Sequence, residues 1–155
     1  YYHFGIEKIL LPEKLFGVYE HRVMNRKIPL VRGFDDYFMI PHSRHTAVSS
    51  EKIHECAGLT VLAESEEAGV FLCMTEGGKQ IFVTGHPEYD RYTLHNEYVR
   101  DKNKGLPIHI PQNYYPGDDD TQKPRLQWRA HCNNLYTNWL NYYVYQTTPY
   151  DIREI

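Results

Sequence analysis

The alternation of apolar and polar positions divides this chain into a strand-rich first part and a helical second part. Residues 1–5 read as the end of a helix stopped near Gly5, and Pro12 with Glu13-Lys14 as a connection. Gly17–Val23 alternates with a period of two, which predicts a strand. Leu30–Phe34 and Tyr37–Ile40 read as short extended pieces around Asp35-Asp36. Ser49 or Ser50 is suited to cap a short helix through Cys56, because a serine oxygen accepts a free N–H of the first turn. Three apolar runs follow, Leu59–Ala63, Gly69–Met74 and Gln80–Thr84, and Gly77-Gly78 joins the last two as a hairpin.

Beyond residue 84 the period changes. Asp90 is placed to N-cap a helix through about Asn103, with Gly105 as its stop. Pro107–Gln122, rich in Pro, Asn and Asp, predicts a long loop. From Pro124 to about Tyr145 the pattern is helical, with proline near the N-terminus. Leu126, Trp128, Cys132, Leu135, Trp139 and Tyr142/Tyr143 form a broad stripe expected to be buried. There is no internal repeat and no low-complexity linker. The pattern as a whole predicts an α/β fold, with a mixed sheet, an antiparallel hairpin and covering helices.

Composition narrows the function classes. At 155 residues and 41% hydrophobic, the chain fits one domain with a real core. The net charge is −3, and no basic patch follows a phosphate backbone, so nucleic acid is not an expected partner. No apolar stretch approaches the roughly 20 residues that span a bilayer, so no membrane is expected either. No signal peptide is visible, although a chain that begins Tyr1-Tyr2-His3 without Met leaves targeting open. Cys56, Cys73 and Cys132 are odd in number, widely spaced and form no CxxC pair, which suits free thiols in a reducing cytoplasm. Many of the 14 tyrosines fall in the last third, where they combine packing area with a hydrogen-bonding tip.

The candidate chemistry lies in Thr84-Gly85-His86-Pro87-Glu88-Tyr89-Asp90, directly after the apolar run Ile81–Val83. Pro87 holds His86 out of the helical region. An imidazole beside a carboxylate is the base-plus-orienter half of a nucleophilic triad. The other half, a Cys or Ser on a sharp strand-to-helix turn, is not evident. Without further support, Glu88 also reads as a surface carboxylate at a helix N-terminus. Asp35 and Asp36 read as a turn or helix entry rather than an acid–base pair. His42, His45 and His54 lack an acidic partner at ligand spacing, so no metal site is expected. Asp118–Asp120 lacks the alternating spacing of a calcium loop and reads as solvated. Cys73 and Cys132 read as core, and Cys56 as the more exposed thiol without a nucleophile elbow around it.

His86-Pro87-Glu88 after a strand resembles the His-Pro-Glu element of class I glutamine amidotransferase-like folds. A wider set of blocks is more specific: Glu13-Lys14, Arg32–Asp36, Pro41–Arg44, Gly85–Asp90, Asn113–Pro116, Asn138–Gln146 and Thr148–Asp151. Together they resemble the homoserine O-acyltransferases of the methionine pathway, over nearly the whole chain. The resemblance implies the C-terminal portion of a class I glutamine amidotransferase-like (flavodoxin-like) sandwich. It also implies that residues 1–155 are the C-terminal part of a single catalytic domain. The nucleophilic cysteine would then lie upstream of Tyr1, and the helix ending near Gly5 would be the one leaving its turn.

On that resemblance His86 is the general base and Glu88 its orienting acid. Arg100 would hold the carboxylate of L-homoserine, with Lys14 and Ser43 as two further substrate contacts. By residue type alone these three are a solvated helix arginine, a loop lysine and a turn serine. The implied reaction is a Cys-His-Glu ping-pong transfer from acetyl-CoA or succinyl-CoA to the homoserine hydroxyl. The wording of Tyr1–Ile6 and Pro12–Phe16 favours acetyl. Acyl-CoA would be a co-substrate, with no permanently bound cofactor, no metal, and a homodimer as the family assembly. Two other readings remain open: a glutamine amidotransferase-like cysteine hydrolase, and a non-catalytic domain on the same scaffold. A half-sheet would expose strand edge and apolar surface, so the isolated 155 residues are expected to be unstable or to aggregate.

Overall fold

A computed structural model describes residues 2–148 and Arg153. Its centre is a five-stranded sheet of order β2-β1-β3-β4-β5. The strands are β1 (Lys8–Val23), β2 (Tyr37–Val48), β3 (Thr60–Ser65), β4 (Gly69–Met74) and β5 (Ile81–Val83). All four pairings between these strands are antiparallel, and among the described residues a parallel bridge joins Gly17 to Gln112. Helices α1 (Ser50–Glu55), α2 (Thr93–Asn103) and α3 (Arg129–Trp139) complete the regular structure.

The first strand is much longer than its alternating stretch predicts. Pro12 and Glu13-Lys14, expected in a connection, lie inside β1, where the pairing with β2 shifts register between Leu10 and Leu15. Proline has no N–H to give a ladder, so it is tolerated where the ladder is already interrupted. Likewise β2 runs on from Ile40 through Pro41-His42-Ser43-Arg44 to Val48. As the edge strand it has one side free of ladder partners, which accommodates Pro41. Ser43 is therefore a strand residue, not a turn serine.

Leu30–Phe34 is not extended. Pro29 opens a 3-10 turn, Pro29–Val31, and buries Leu30 and Val31. Ser49 caps α1 as expected, accepting the Lys52 N–H at 3.2 Å. Tyr2–Phe4 form a turn before Gly5, which takes φ +67°; Tyr1 lies outside the described residues.

Asp90 does not cap α2. Its carboxylate pairs with Arg129 at 2.8 Å. The Tyr114 hydroxyl accepts the His95 N–H at 3.2 Å instead, supplying the cap from a distant loop. The other end of α2 follows expectation. Gly105 adopts φ +68°, and Leu106 and Gly105 donate back to Asp101 and Lys102, closing the helix with paired reverse bonds.

The last helix begins later than its proline suggests. The Pro124 carbonyl accepts from Arg91, and the Arg125 N–H donates to Tyr114, so this backbone is committed to the neighbouring loop. Helix α3 starts at Arg129, and Leu140–Val144 forms a π turn after it. The expected stripe is only partly buried. Trp128 and Leu135 are buried, whereas Trp139 is 42% exposed and Cys132 only partly covered. Asn138 is buried because its amide donates to the Leu30 and Arg32 carbonyls. Pro149, Tyr150 and Asp151 of the closing block lie outside the described residues.

The main core surrounds Phe16, Val18, Ile40, Leu62, Phe71 and Trp128, and a second, smaller cluster holds Ile6, Ile53, Val70 and Cys73. No helix among the described residues is long and apolar enough to cross a membrane.

Candidate active site

The turn after β5 is held from three directions. Its His86 N–H donates to the Pro41 carbonyl at 2.9 Å, and Arg44 donates to the Thr84 carbonyl at 2.8 Å. Trp128 donates its indole N–H to the Tyr89 carbonyl at 2.7 Å. Fixed in this way, His86 Nδ1 lies 3.0 Å from Glu88 Oε1. A carboxylate only accepts, so Nδ1 carries the proton, and Nε2 is the basic nitrogen of the neutral ring. The imidazole also stacks on Tyr89, with centroids 4.3 Å apart and planes 8° apart. Both side chains reach the surface, with His86 36% and Glu88 51% exposed.

A second cluster surrounds Glu97. Lys14 Nζ from β1 lies 2.6 Å from Glu97 Oε1, and Ser43 Oγ from β2 donates to the same oxygen at 2.7 Å. Arg100, one helical turn on, reaches that oxygen at 3.9 Å and binds Asp101 at 2.6 Å. Lys14 also lies over the Phe16 ring, 4.2 Å from its centre. Lys14 and Glu97 are 9% and 18% exposed, so this pair is largely withdrawn from water. The Arg100 hydrogen bond and charge hold the Asp101 carboxyl below its usual range. Thus Lys14, Ser43 and Arg100, far apart in sequence, converge on one carboxylate.

The two clusters are neighbours. Pro41 holds the His86 backbone, and Ser43, two positions along β2, holds Glu97. Tyr89, stacked on His86, has its phenol pushed up by burial and by the charges of Glu97 and Glu88. A base, an oriented acid and a charge-balanced group of Lys, Arg, Glu and Asp therefore lie together. Chemically this arrangement suits a small zwitterion that presents a group for deprotonation.

Glu97 escaped the reading of the sequence. The available signal was spacing: Glu97, Arg100 and Asp101 fall at i, i+3 and i+4 of one helix, so they share a face. The histidines considered for a metal are not brought together. His42 is buried against His21, His45 is exposed, and His54 pairs with Glu64 at 2.7 Å. Among the described residues no group of three or more His, Cys, Asp or Glu side chains is placed to hold a metal ion. Asp35 pairs with His131 and Asp36 with Arg26, away from the His86 turn.

Comparison with known proteins identifies the family and the fold. The family model described as homoserine O-succinyltransferase matches residues 1–150. A homoserine O-acetyltransferase of Agathobacter rectalis is 70% identical over 151 residues, which is 97% of this chain and 49% of that protein. A homoserine O-acetyltransferase of Lachnoclostridium phytofermentans is 66% identical over 152 residues, covering 98% of this chain and 50% of the relative. The chain thus spans about half the length of the curated relatives it matches. Among solved structures, a glutamine amido transferase from Methylobacillus flagellatus superposes with a TM-score of 0.55 at 12% identity, over 88% of this chain and 56% of that one. A glutamine amidotransferase from Thermotoga maritima gives 0.51 at 15% identity, over 65% and 41%. At such identities the likeness shows the fold alone, a class I glutamine amidotransferase-like α/β sandwich.

Proposed function

Since the chain belongs to the homoserine O-succinyltransferase family, we propose that it is the C-terminal part of a catalytic domain that acylates the hydroxyl of L-homoserine from an acyl-CoA. The observation that carries this reading is the convergence of Lys14, Ser43 and Arg100 on Glu97, beside the His86–Glu88 pair.

In this reading Arg100 and Lys14 receive the homoserine carboxylate, and a guanidinium fork suits that group. The substrate also carries an ammonium, which needs an anionic acceptor. Glu97 is the carboxylate already in contact with all three donors, so it takes that role. Lys14 and Arg100 pair with Glu97 and Asp101, and in this reading the zwitterion binds by exchanging partners at little net cost in charge.

The nucleophile is a cysteine supplied upstream of Tyr1. His86 Nε2 takes the thiol proton, and the thiolate attacks the thioester carbonyl. The carbon–sulfur bond to coenzyme A breaks, and the departing thiolate receives the proton from His86. Homoserine then binds, and His86 takes the proton of its hydroxyl as the oxygen attacks the acyl-enzyme. The cysteine leaves and is reprotonated, which yields O-acyl-L-homoserine. Glu88 keeps the proton on Nδ1 and stabilises the imidazolium formed in each half. The donor proposed is acetyl-CoA, in keeping with the names of the relatives.

The test is homoserine-dependent release of free CoA from acetyl-CoA and succinyl-CoA, by the whole protein and by these 155 residues side by side. Turnover by the whole protein alone, with acetyl-CoA preferred, is the expected result. Turnover by the short chain would place the nucleophile at Cys56, Cys73 or Cys132. Glutamine-dependent ammonia release without CoA turnover would overturn the proposal in favour of an amidotransferase.

A further inference from the structure

The His86 turn rests on a buried pair of imidazoles that the proposed chemistry does not use. His42 on β2 and His21 on β1 are both fully buried, and their rings stack with centroids 5.1 Å apart. Their Nε2 atoms lie 3.1 Å apart, and His21 Nδ1 lies 2.9 Å from the Tyr19 carbonyl. A carbonyl only accepts, so His21 Nδ1 carries the proton and its Nε2 is a lone pair. His42 Nε2–H therefore donates to it. That assignment leaves His42 Nδ1 a bare acceptor, and it finds no hydrogen-bond partner among the described residues. A phenylalanine would fill the same space without stranding an acceptor away from water. Packing alone does not account for a histidine at this position.

On its outer side the His42 ring bears on the turn. A Cβ added at Gly85 would lie 2.6 Å from Ile40 Cγ2, 2.9 Å from His42 Cε1 and 3.0 Å from His42 Nε2, so the turn packs directly on these two β2 side chains and only glycine fits there. Residues flanking His42 grip the same turn, Pro41 at the His86 N–H and Arg44 at the Thr84 carbonyl. Below, His21 is fixed by stacking on Phe38 and by the edge of Phe71. Burial, followed by the charges of neighbouring groups, keeps the pair neutral, with His21 lowered to about 4 and His42 to about 2. The charged and titratable groups around them are Arg44, Tyr19 and His86. A neutral support places no second cation under His86 when that ring takes its proton.

We propose that His42, anchored through His21 to the β1 backbone, is a positioning residue for His86. It sets the height of the Gly85–His86 turn, and with it the alignment of the base toward Glu88 and the reacting proton. This inference rests on the reading of His86 as the general base.

The test uses the whole protein with His42→Phe and Gly85→Ala, singly and combined. His42→Phe is expected to lower kcat at least about tenfold while the KM for homoserine stays within about threefold, because misplacing a base slows proton transfer without touching the substrate's charged contacts. It is also expected to shift the His86 Nδ1–H proton resonance in NMR, which reports the hydrogen bond to Glu88. Gly85→Ala presses on the His42 ring, and on Ile40 beside it, from the other side, so the two effects should not fully multiply in the combined variant. A kcat per folded molecule within about twofold of wild type, or an unmoved His86 Nδ1–H resonance, would overturn the proposal. If His42→Phe does not fold, Gly85→Ala decides by the same two readouts. A wild-type protein without CoA release would refute the functional reading alone, and the His86 Nδ1–H resonance would still decide the positioning role.

Discussion

Taking the protein from pH 7 to pH 5 should destabilise it by about 4 kcal/mol through His21 and His42 alone. Both rings are fully buried, and desolvation holds them neutral, His21 at about 4 and His42 at about 2. In the unfolded chain each imidazole titrates near 6.5. Because the folded values are lowered, the unfolded state binds more protons below about 6.5, and stability falls as the pH drops through that value. At pH 5 an unfolded imidazole is protonated about 30-fold over neutral, which is worth about 2 kcal/mol, and there are two rings. Carboxylates held low by their partners, such as Asp101 and Asp120, respond below their ordinary 3.8, outside this window. The assay is urea unfolding of the whole protein at pH 7, 6 and 5, with and without His21→Phe plus His42→Phe. Replacing both partners of a hydrogen bond by apolar rings of similar shape is tolerated far better than removing one. The double variant should lose most of the pH dependence between 7 and 5. If it keeps the full slope, the buried pair is not the source, and the account of its charge state is wrong.

Three further outcomes follow from the site. Glu88→Gln should lower kcat about 100- to 10,000-fold with little change in the homoserine KM, since the His86 tautomer and imidazolium lose their support; steady-state kinetics on both substrates checks this. Glu97→Gln should lower kcat/KM for homoserine about 30-fold, or roughly 2 kcal/mol of charge-assisted hydrogen bonding, with a smaller effect on the acyl-CoA half-reaction measured as burst CoA release. Cys73, whose thiol is pushed up to about 11 by burial, should resist a disulfide-exchange reagent at pH 8 in the native protein and react once unfolded.

Much of the local structure was legible in the chain. The Gly69–Met74 strand, the Ser49 cap and the Gly105 stop depend on neighbours within a few residues. The His86–Glu88 pair was legible for the same reason, since Pro87 and a spacing of two confine both side chains to one turn. The long first strand was not, because a bulge hides the continuation of a ladder that only the partner strand reveals. Nor was the exchange of the Asp90 cap for the Tyr114 hydroxyl, which comes from 19 residues beyond His95.

By itself, then, the sequence determined the family, the short-range turns and the proposed His86–Glu88 pair, all carried by residue types at close spacing. Only the tertiary structure decided that Lys14, Ser43 and Arg100 meet at Glu97, and that two histidines 21 residues apart stack beneath the base. The register of β1 against β2 pairs His42 with Gly17 and His21 with Phe38, so the two imidazoles meet through their side chains, while Ser43 reaches Glu97 of α2; pairing register is a property of two strands together.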